Sequence, residues 1–330
     1  MEYSKKTLYE IFHGIHELVF TDTGIWPARM TLRQREYFTS KNESFAMRAY
    51  CDSGIYMDFY TDAERISFDY TFGLAYRKQV AFDIYENDVL VYSYMCRGES
   101  SGRIEYIPNS KSPRITVYFP CIAQIFVSNL SLGCVCSVKR TGKKLMFLGD
   151  SIAQGVDCGS HPSMNLPNLY SRFEDCEYIN LAVGSAMFCP DFIDQTLNFV
   201  PDVIFVAYGA NDTALTVSDN FVRQNTDRFF SVLRDTYSGI PIIAISPIWY
   251  YREAPLCVNP FKKEDTDRWA LVYSVIESCC EKYGIKYICG RTLMPHLQDF
   301  YRTDDPHPTE IGFSLYASEL YRVTKNFIFT

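Results

Sequence analysis

From Arg65 to Phe72 apolar and polar positions alternate without a break. Ile66, Phe68, Tyr70 and Phe72 fall on one side, Ser67, Asp69 and Thr71 on the other. A period of two marks a strand with one buried face. Val80, Phe82 and Ile84 repeat the pattern, and Glu86-Asn87-Asp88 supplies a turn before Val89-Leu90-Val91. Ile115, Val117 and Phe119 repeat it again before Pro120. Short alternating strands between turn signals, from about Ile25 to Leu132, predict an antiparallel sandwich of jelly-roll type. An amphipathic helix is expected before it, within MEYSKKTLYEIFHGIHEL.

Beyond the basic, polar junction Lys139-Arg140-Thr141-Gly142-Lys143-Lys144 the rhythm changes. Leu145–Leu148, Tyr178–Val183, Val203–Ala207, Ile242–Ile245 and Ile285–Ile288 read as short, largely apolar strands. Helical patterns lie between them. The clearest puts Trp269, Val272, Ile276, Cys279 and Tyr283 on one face, with Asp265 or Thr266 as cap. Strands alternating with helices predict a parallel sheet covered on both faces, an α/β/α arrangement. Two domains follow: residues 1–140, a helix and a β-sandwich, and residues 141–330, the α/β unit.

Composition narrows the function. The chain has 330 residues, of which 47% are hydrophobic, enough to fill two cores. Its formal net charge is -7 and no basic stripe accompanies it, so nucleic acid is not expected as a partner. No stretch approaches the ~20 apolar residues of a membrane span, and the N-terminus lacks the apolar core of a signal peptide. The twelve cysteines are scattered without a CxxC pair, which suggests reduced thiols and a cytoplasmic protein. His13 and His16 stand three apart on the expected opening helix, but no third ligand is near, so no metal site is expected. Nothing in the pattern speaks to oligomeric state.

Open parallel sheets bind ligands beyond the carboxyl ends of their strands. Chemistry-bearing residues stand at those places. Gly149-Asp150-Ser151 follows the first apolar run, and a serine there is placed to act as a nucleophile at a helix start. Gly184-Ser185 follows the second strand, where a sharp turn can present a main-chain N–H. Asn211, in Tyr208-Gly209-Ala210-Asn211-Asp212, can aim its side-chain amide at an oxyanion. Asp304-Asp305-Pro306-His307-Pro308 precedes a helix capped by Thr309. One turn there can bring the Asp304 carboxylate to His307, fixing its tautomer and leaving Nε2 as base. Trp249-Tyr250-Tyr251 follows the fourth strand, and aromatic rings at that edge suit either sugar stacking or core packing.

These residues resemble the blocks of the SGNH hydrolases, the GDSL-type esterases and lipases. Gly149-Asp150-Ser151 matches the first block, Gly209-Ala210-Asn211-Asp212 the third, and Asp304-Asp305-Pro306-His307 the fifth. The second block, Asn180-Leu181-Ala182-Val183-Gly184-Ser185, departs from the family, which has its oxyanion glycine where Ser185 stands. The resemblance spans about residues 143–327 and implies a flavodoxin-like three-layer fold. The alternating half is similar to the β-sandwich preceding this domain in some carbohydrate acetyl esterases.

The resemblance implies Ser151 as nucleophile, His307 as base and Asp304 as its orienting acid. The oxyanion would be held by the N–H of Ser151, a main-chain N–H at Gly184 or Ser185, and Asn211. Asp150 and Asp212 would brace turns, Trp249 and Tyr250 would contact substrate, and no cofactor or metal would be needed. The implied activity is hydrolysis of acetyl or short acyl esters, of a carbohydrate in the first place. A lipase or thioesterase of the same mechanism is the alternative. An inactive carbohydrate-binding protein is the alternative of another class.

Overall fold

The computed structural model of the protein describes residues 3–77, 79–158, 160–254, 257, 259–302 and 306–329. In the first half, helix α1 (Lys5–Ile11) is followed by strands β1 (Phe12–His13), β2 (Glu17–Thr21) and β3 (Gly24–Ala28). Helices α2 (Leu32–Thr39) and α3 (Glu43–Tyr50) come next. Eight more strands complete this half: β4 (Tyr56–Thr61), β5 (Ile66–Ala75), β6 (Gln79–Glu86), β7 (Val89–Arg97), β8 (Ser101–Tyr106), β9 (Arg114–Tyr118), β10 (Ala123–Ser131) and β11 (Val135–Ser137). They form two antiparallel sheets, β1-β4-β9-β6-β7 with β11 beside β4, and β2-β3-β10-β5-β8.

The alternation explains the sandwich core. Ile66, Phe68 and Tyr70 of β5 meet Phe82 and Ile84 of β6 and Phe119 between the sheets. The opposite face of β5 is a polar ladder, with Arg103 bonded to Asp69 at 2.8 Å and to Ser67 at 2.7 Å. Strand β6 breaks the rule of one wet face, since Ala81, Asp83 and Tyr85 are buried as well. Its outer side is covered by the second domain. Asp83 accepts both the N–H (3.1 Å) and the hydroxyl (2.6 Å) of Ser163, and Tyr85 donates to the same hydroxyl at 3.1 Å. Satisfied polar groups make that burial affordable.

The second half carries the parallel sheet β13-β12-β14-β15-β16, with β12 (Lys144–Gly149), β13 (Glu177–Asn180), β14 (Val203–Ala207), β15 (Ile242–Ile245) and β16 (Lys286–Ile288). Its helices are α4 (Ser151–Gln154), α5 (Leu166–Arg172), α6 (Asp219–Thr236), α7 (Lys263–Tyr283) and α8 (Glu310–Ile328). Leu145, Phe147, Phe205 and Ile243 pack toward α5 and α8, while Met146, Ile204 and Ala244 pack toward α6 and α7. The fold is thus the three-layer α/β/α domain preceded by an antiparallel sandwich.

Three expectations shift. His13 lies in β1, stacked on Tyr56 with ring centroids 5.0 Å apart, and His16 lies beyond Gly14; neither is on a helix. The third-layer helix α7 begins at Lys263, ahead of the expected cap, and the Asp265 carboxylate accepts the N–H of Lys262 at 3.0 Å. Residues 30–50 do not belong to the sandwich core. Met30, Phe38 and Ala49 close one face of the parallel sheet, against Val183, Phe188 and Phe192. Arg29 fastens this crossing. Only 1% exposed, it donates to the carbonyls of Cys51, Asn180 and Ala182 at 2.6–2.9 Å and of Arg48 at 3.0 Å.

Candidate active site

Strand β12 ends at Gly149, where a side chain would collide with Ala153 and with the Ala207 carbonyl, both at 2.8 Å. Asp150 then caps α4, its Oδ1 accepting the N–H of Ile152 at 3.0 Å. Ser151 therefore opens α4 at the carboxyl edge of the sheet. His307 approaches from the other side. A short antiparallel turn carries it: Arg302 N–H donates to the His307 carbonyl at 2.9 Å, and Thr309 N–H to the Phe300 carbonyl at 2.9 Å. Thr309 caps α8 through the Gly312 N–H at 3.2 Å. The result is a contact of 2.7 Å between His307 Nε2 and Ser151 Oγ.

On the far side of the ring, His307 Nδ1 lies 2.9 Å from Asp157 Oδ2. Asp304, the acid implied by the family, lies outside the described residues. Asp157 stands six residues past the nucleophile, beyond Gly155, whose φ of +80° turns the chain out of α4. No motif singles it out in sequence. The one available signal was a carboxylate just past a short nucleophile helix. Burial alone would raise the Asp157 carboxyl, but His307 and Arg77 outweigh it and hold it near about 2.

The oxyanion candidates separate by their hydrogen bonds. Gly184 is buried, and its N–H donates to Gln154 Oε1 at 2.6 Å. Ser185 is exposed, in the left-handed region at φ +64°, and its N–H has no protein acceptor among the described residues. Asn211 opens a short turn after β14, and one N–H of its amide donates to the Ala186 carbonyl at 3.0 Å. That bond orients the amide against the Gly184-Ser185 turn and leaves its second N–H for another acceptor.

Behind the serine, Asp150 and Asp212 are buried. Burial pushes Asp150 up to about 6, with the Ile152 N–H opposing. Burial also pushes Asp212 up to about 7, with the Phe188 N–H opposing and the charge of Asp150 adding to the rise.

A cavity of about 230 Å³ opens beside Ser151 and Asn211, walled by Tyr250, Phe261 and Trp269. The Tyr250 and Trp269 rings stack at 5.9 Å, and Phe261 lies 5.4 Å from Trp269. Trp249 does not reach this space. It is 4% exposed, stacked on His296 at 5.2 Å and edge-on to Tyr301 at 5.3 Å. Neighbours on an extended chain point to opposite sides, so when Tyr250 turns to the cavity Trp249 enters the core. Trp269, expected only as a core residue of its helix, supplies the second wall. Among the described residues no group of three or more His, Cys, Asp or Glu side chains could hold a metal ion. All twelve cysteines are free. No helix among the described residues is long and apolar enough to cross a membrane.

A serine and a histidine thus stand in contact at the carboxyl edge of a parallel sheet, within a three-layer α/β/α frame. Residues 147–315, just over half of the chain, match the GDSL-like Lipase/Acylhydrolase family, and the chain belongs to that family. It is an esterase. An arylesterase of Vibrio mimicus is 24% identical over 121 residues, 34% of this chain, and the match spans 59% of that relative's length.

Among solved structures, the salicylyl-acyltransferase SsfX3 from a tetracycline biosynthetic pathway superposes with a TM-score of 0.74 at 17% identity, covering 96% of this chain and 94% of that one. A GDSL-like lipase from Bacteroides ovatus gives 0.74 at 15% identity, with 96% and 95% covered. A family two carbohydrate esterase from Clostridium thermocellum gives 0.66 at 14% identity, with 96% and 98% covered. These likenesses extend through both halves of the chain and speak to fold.

Proposed function

We propose that the protein hydrolyses acetyl or other short acyl esters of a carbohydrate by a serine–histidine mechanism. The 2.7 Å contact between His307 Nε2 and Ser151 Oγ carries this reading. Ser151 Oγ attacks the ester carbonyl as His307 Nε2 takes its proton. The tetrahedral oxyanion is held by the Ser151 N–H, the free N–H of Asn211 and a main-chain N–H of the Gly184-Ser185 turn. Ser185 is the better donor of the two, because the Gly184 N–H is already bonded to Gln154. His307 then gives its proton to the leaving alcohol, and water, activated by the same imidazole, releases the acid from Ser151. A carboxylate at Nδ1 keeps the ring in the required tautomer. Asp157 occupies that position, and Asp304 remains the acid that the family resemblance implies.

Support for a carbohydrate ester comes from the two-domain likeness to the carbohydrate esterase and from the aromatic walls of the cavity. The same walls favour a second reading, an ester with an aromatic acyl group, which is the kind of group named for the salicylyl-acyltransferase. The Ser151–His307 contact weighs against an inactive binding protein.

The deciding experiment is a panel of nitrophenyl esters of rising acyl size, benzoyl included, beside acetylated sugars. Ser151→Ala should remove all hydrolysis, a loss on the order of 10⁶ in turnover for a nucleophile. A folded Ser151→Ala protein with near-normal activity would overturn the assignment.

A further inference from the structure

One carboxylate, that of Asp157, links the sandwich domain to His307. Arg77, in the connection between β5 and β6, places Nη1 2.7 Å from Asp157 Oδ1. The other oxygen of Asp157 lies 2.9 Å from His307 Nδ1, and His307 Nε2 lies 2.7 Å from Ser151 Oγ. The main chain of Asp157 is held as well: its carbonyl accepts Arg302 Nη2 at 2.7 Å, from the turn that carries His307. Asp157 thus meets two other pieces of chain: Arg77 of the sandwich bonds its carboxylate, and the histidine turn bonds its carbonyl through Arg302 and brings His307 Nδ1 to 2.9 Å from Oδ2.

We propose that Asp157 is the positioning residue for His307, and that Arg77 makes its placement depend on the sandwich domain. This rests on the esterase reading above. Asp157 does not belong to the block that supplies the acid in the family resemblance. Its carboxylate stabilises the imidazolium formed when Ser151 gives up its proton, and holds the Nδ1–H tautomer before that. Arg77 fixes the carboxylate but also draws off part of its negative potential. Removing the one or the other therefore moves the proton affinity of His307 in opposite directions. Among the described residues, the other charges facing this group are Arg302, paired with Glu310 at 2.9 Å, and the buried Asp150 on the sheet side.

The test is the pH profile of kcat and kcat/KM for 4-nitrophenyl acetate with the full chain. Asp157→Asn should lower kcat by about 10- to 10⁴-fold with little change in KM, and should move the acidic limb to lower pH. Asp157→Glu should recover part of the rate. Arg77→Gln should move the limb the other way, to higher pH, with a kcat loss of about 2- to 10-fold. Arg77 is half exposed, so its replacement keeps the proposal testable if Asp157→Asn does not fold. A mere loss of stability would not give opposite shifts. Wild-type limbs in both variants, or the full effect in Asp304→Asn alone, would overturn the proposal. If the wild-type protein hydrolyses no ester, the esterase reading itself fails, and the two failures are told apart.

Discussion

The side-chain oxygen of Gln154 accepts the main-chain N–H of Gly184 at 2.6 Å, and its Nε2 donates to the Arg48 carbonyl at 2.9 Å. One amide thus joins the last residue of α4, the turn after β13 and helix α3. Gln154 is fully buried, so each bond replaces water entirely.

Gln154→Met keeps the volume and removes both bonds. The buried Gly184 N–H is left unpaired, at a cost of about 1–3 kcal/mol, while the Arg48 carbonyl keeps its bond from Arg29. The turn that would hold the oxyanion loosens, so kcat should fall by about tenfold or more while KM changes little. Steady-state kinetics beside urea unfolding would check it. A rise in KM alone would speak against a role in transition-state binding.

Ser185 adopts φ +64°, which disfavours a residue with a Cβ. Ser185→Gly relieves this, and the gain should be about 0.5–1 kcal/mol after allowing for the freer unfolded chain. The donor is a main-chain N–H, so kcat should stay within about twofold of wild type. A large loss of rate would mean that the hydroxyl itself takes part.

Arg29 is the buried fastener between the two halves. Arg29→Met would remove its bonds to the carbonyls of Cys51, Asn180 and Ala182, and one of the two donors of the Arg48 carbonyl, which Gln154 also serves. The expected destabilisation is about 3–5 kcal/mol, read as a lower urea midpoint. For the same reason residues 141–330 alone should not fold into an active esterase. Full activity from that fragment would refute the shared core.

Much of this was legible in the sequence. Periods of two gave the sandwich, and apolar runs with helical intervals gave the parallel sheet, because each period reports which face is buried. The placement of Ser151, Asn211 and His307 at one edge follows from the strand-end rule. Other features were hidden, for a physical reason in each case. Met30 and Phe38 bury against the second half through long-range contacts that no local period encodes. Asp157 is recruited by tertiary placement of Arg77 and His307, residues far away in the chain. Trp249 and Tyr250 are adjacent, and only the path of the backbone decides which ring meets the cavity.

The two tryptophans should therefore separate cleanly. Trp269→Ala opens the cavity wall beside Ser151 and should raise KM for bulky esters by about tenfold, while sparing acetyl esters. Trp249→Ala leaves a hole in the core and should cost about 3–5 kcal/mol of stability. KM of the folded remainder should be nearly unchanged. Thermal melts and kinetics with acetyl and benzoyl esters would read both, and the reverse pattern would move the substrate site.

Asp212 gives a prediction about pH. Its carboxyl is fully buried and pushed up to about 7, first by burial and then by the charge of Asp150. A carboxyl whose folded pKa lies above its unfolded value binds its proton more tightly when folded. Its contribution to stability is complete below about pH 4, and it is lost as pH rises toward 7. Asp150, pushed up to about 6, acts in the same sense. Asp212→Asn keeps the shape and cannot ionise. The variant should match wild type at about pH 4 and below, and exceed it by about 2–4 kcal/mol near pH 8. Urea unfolding at the two pH values would measure the difference. A constant offset between the proteins would mean that Asp212 is ionised throughout, held by partners stronger than the Phe188 N–H. A deficit that grows with pH would mean that its negative charge stabilises the turn carrying Asn211.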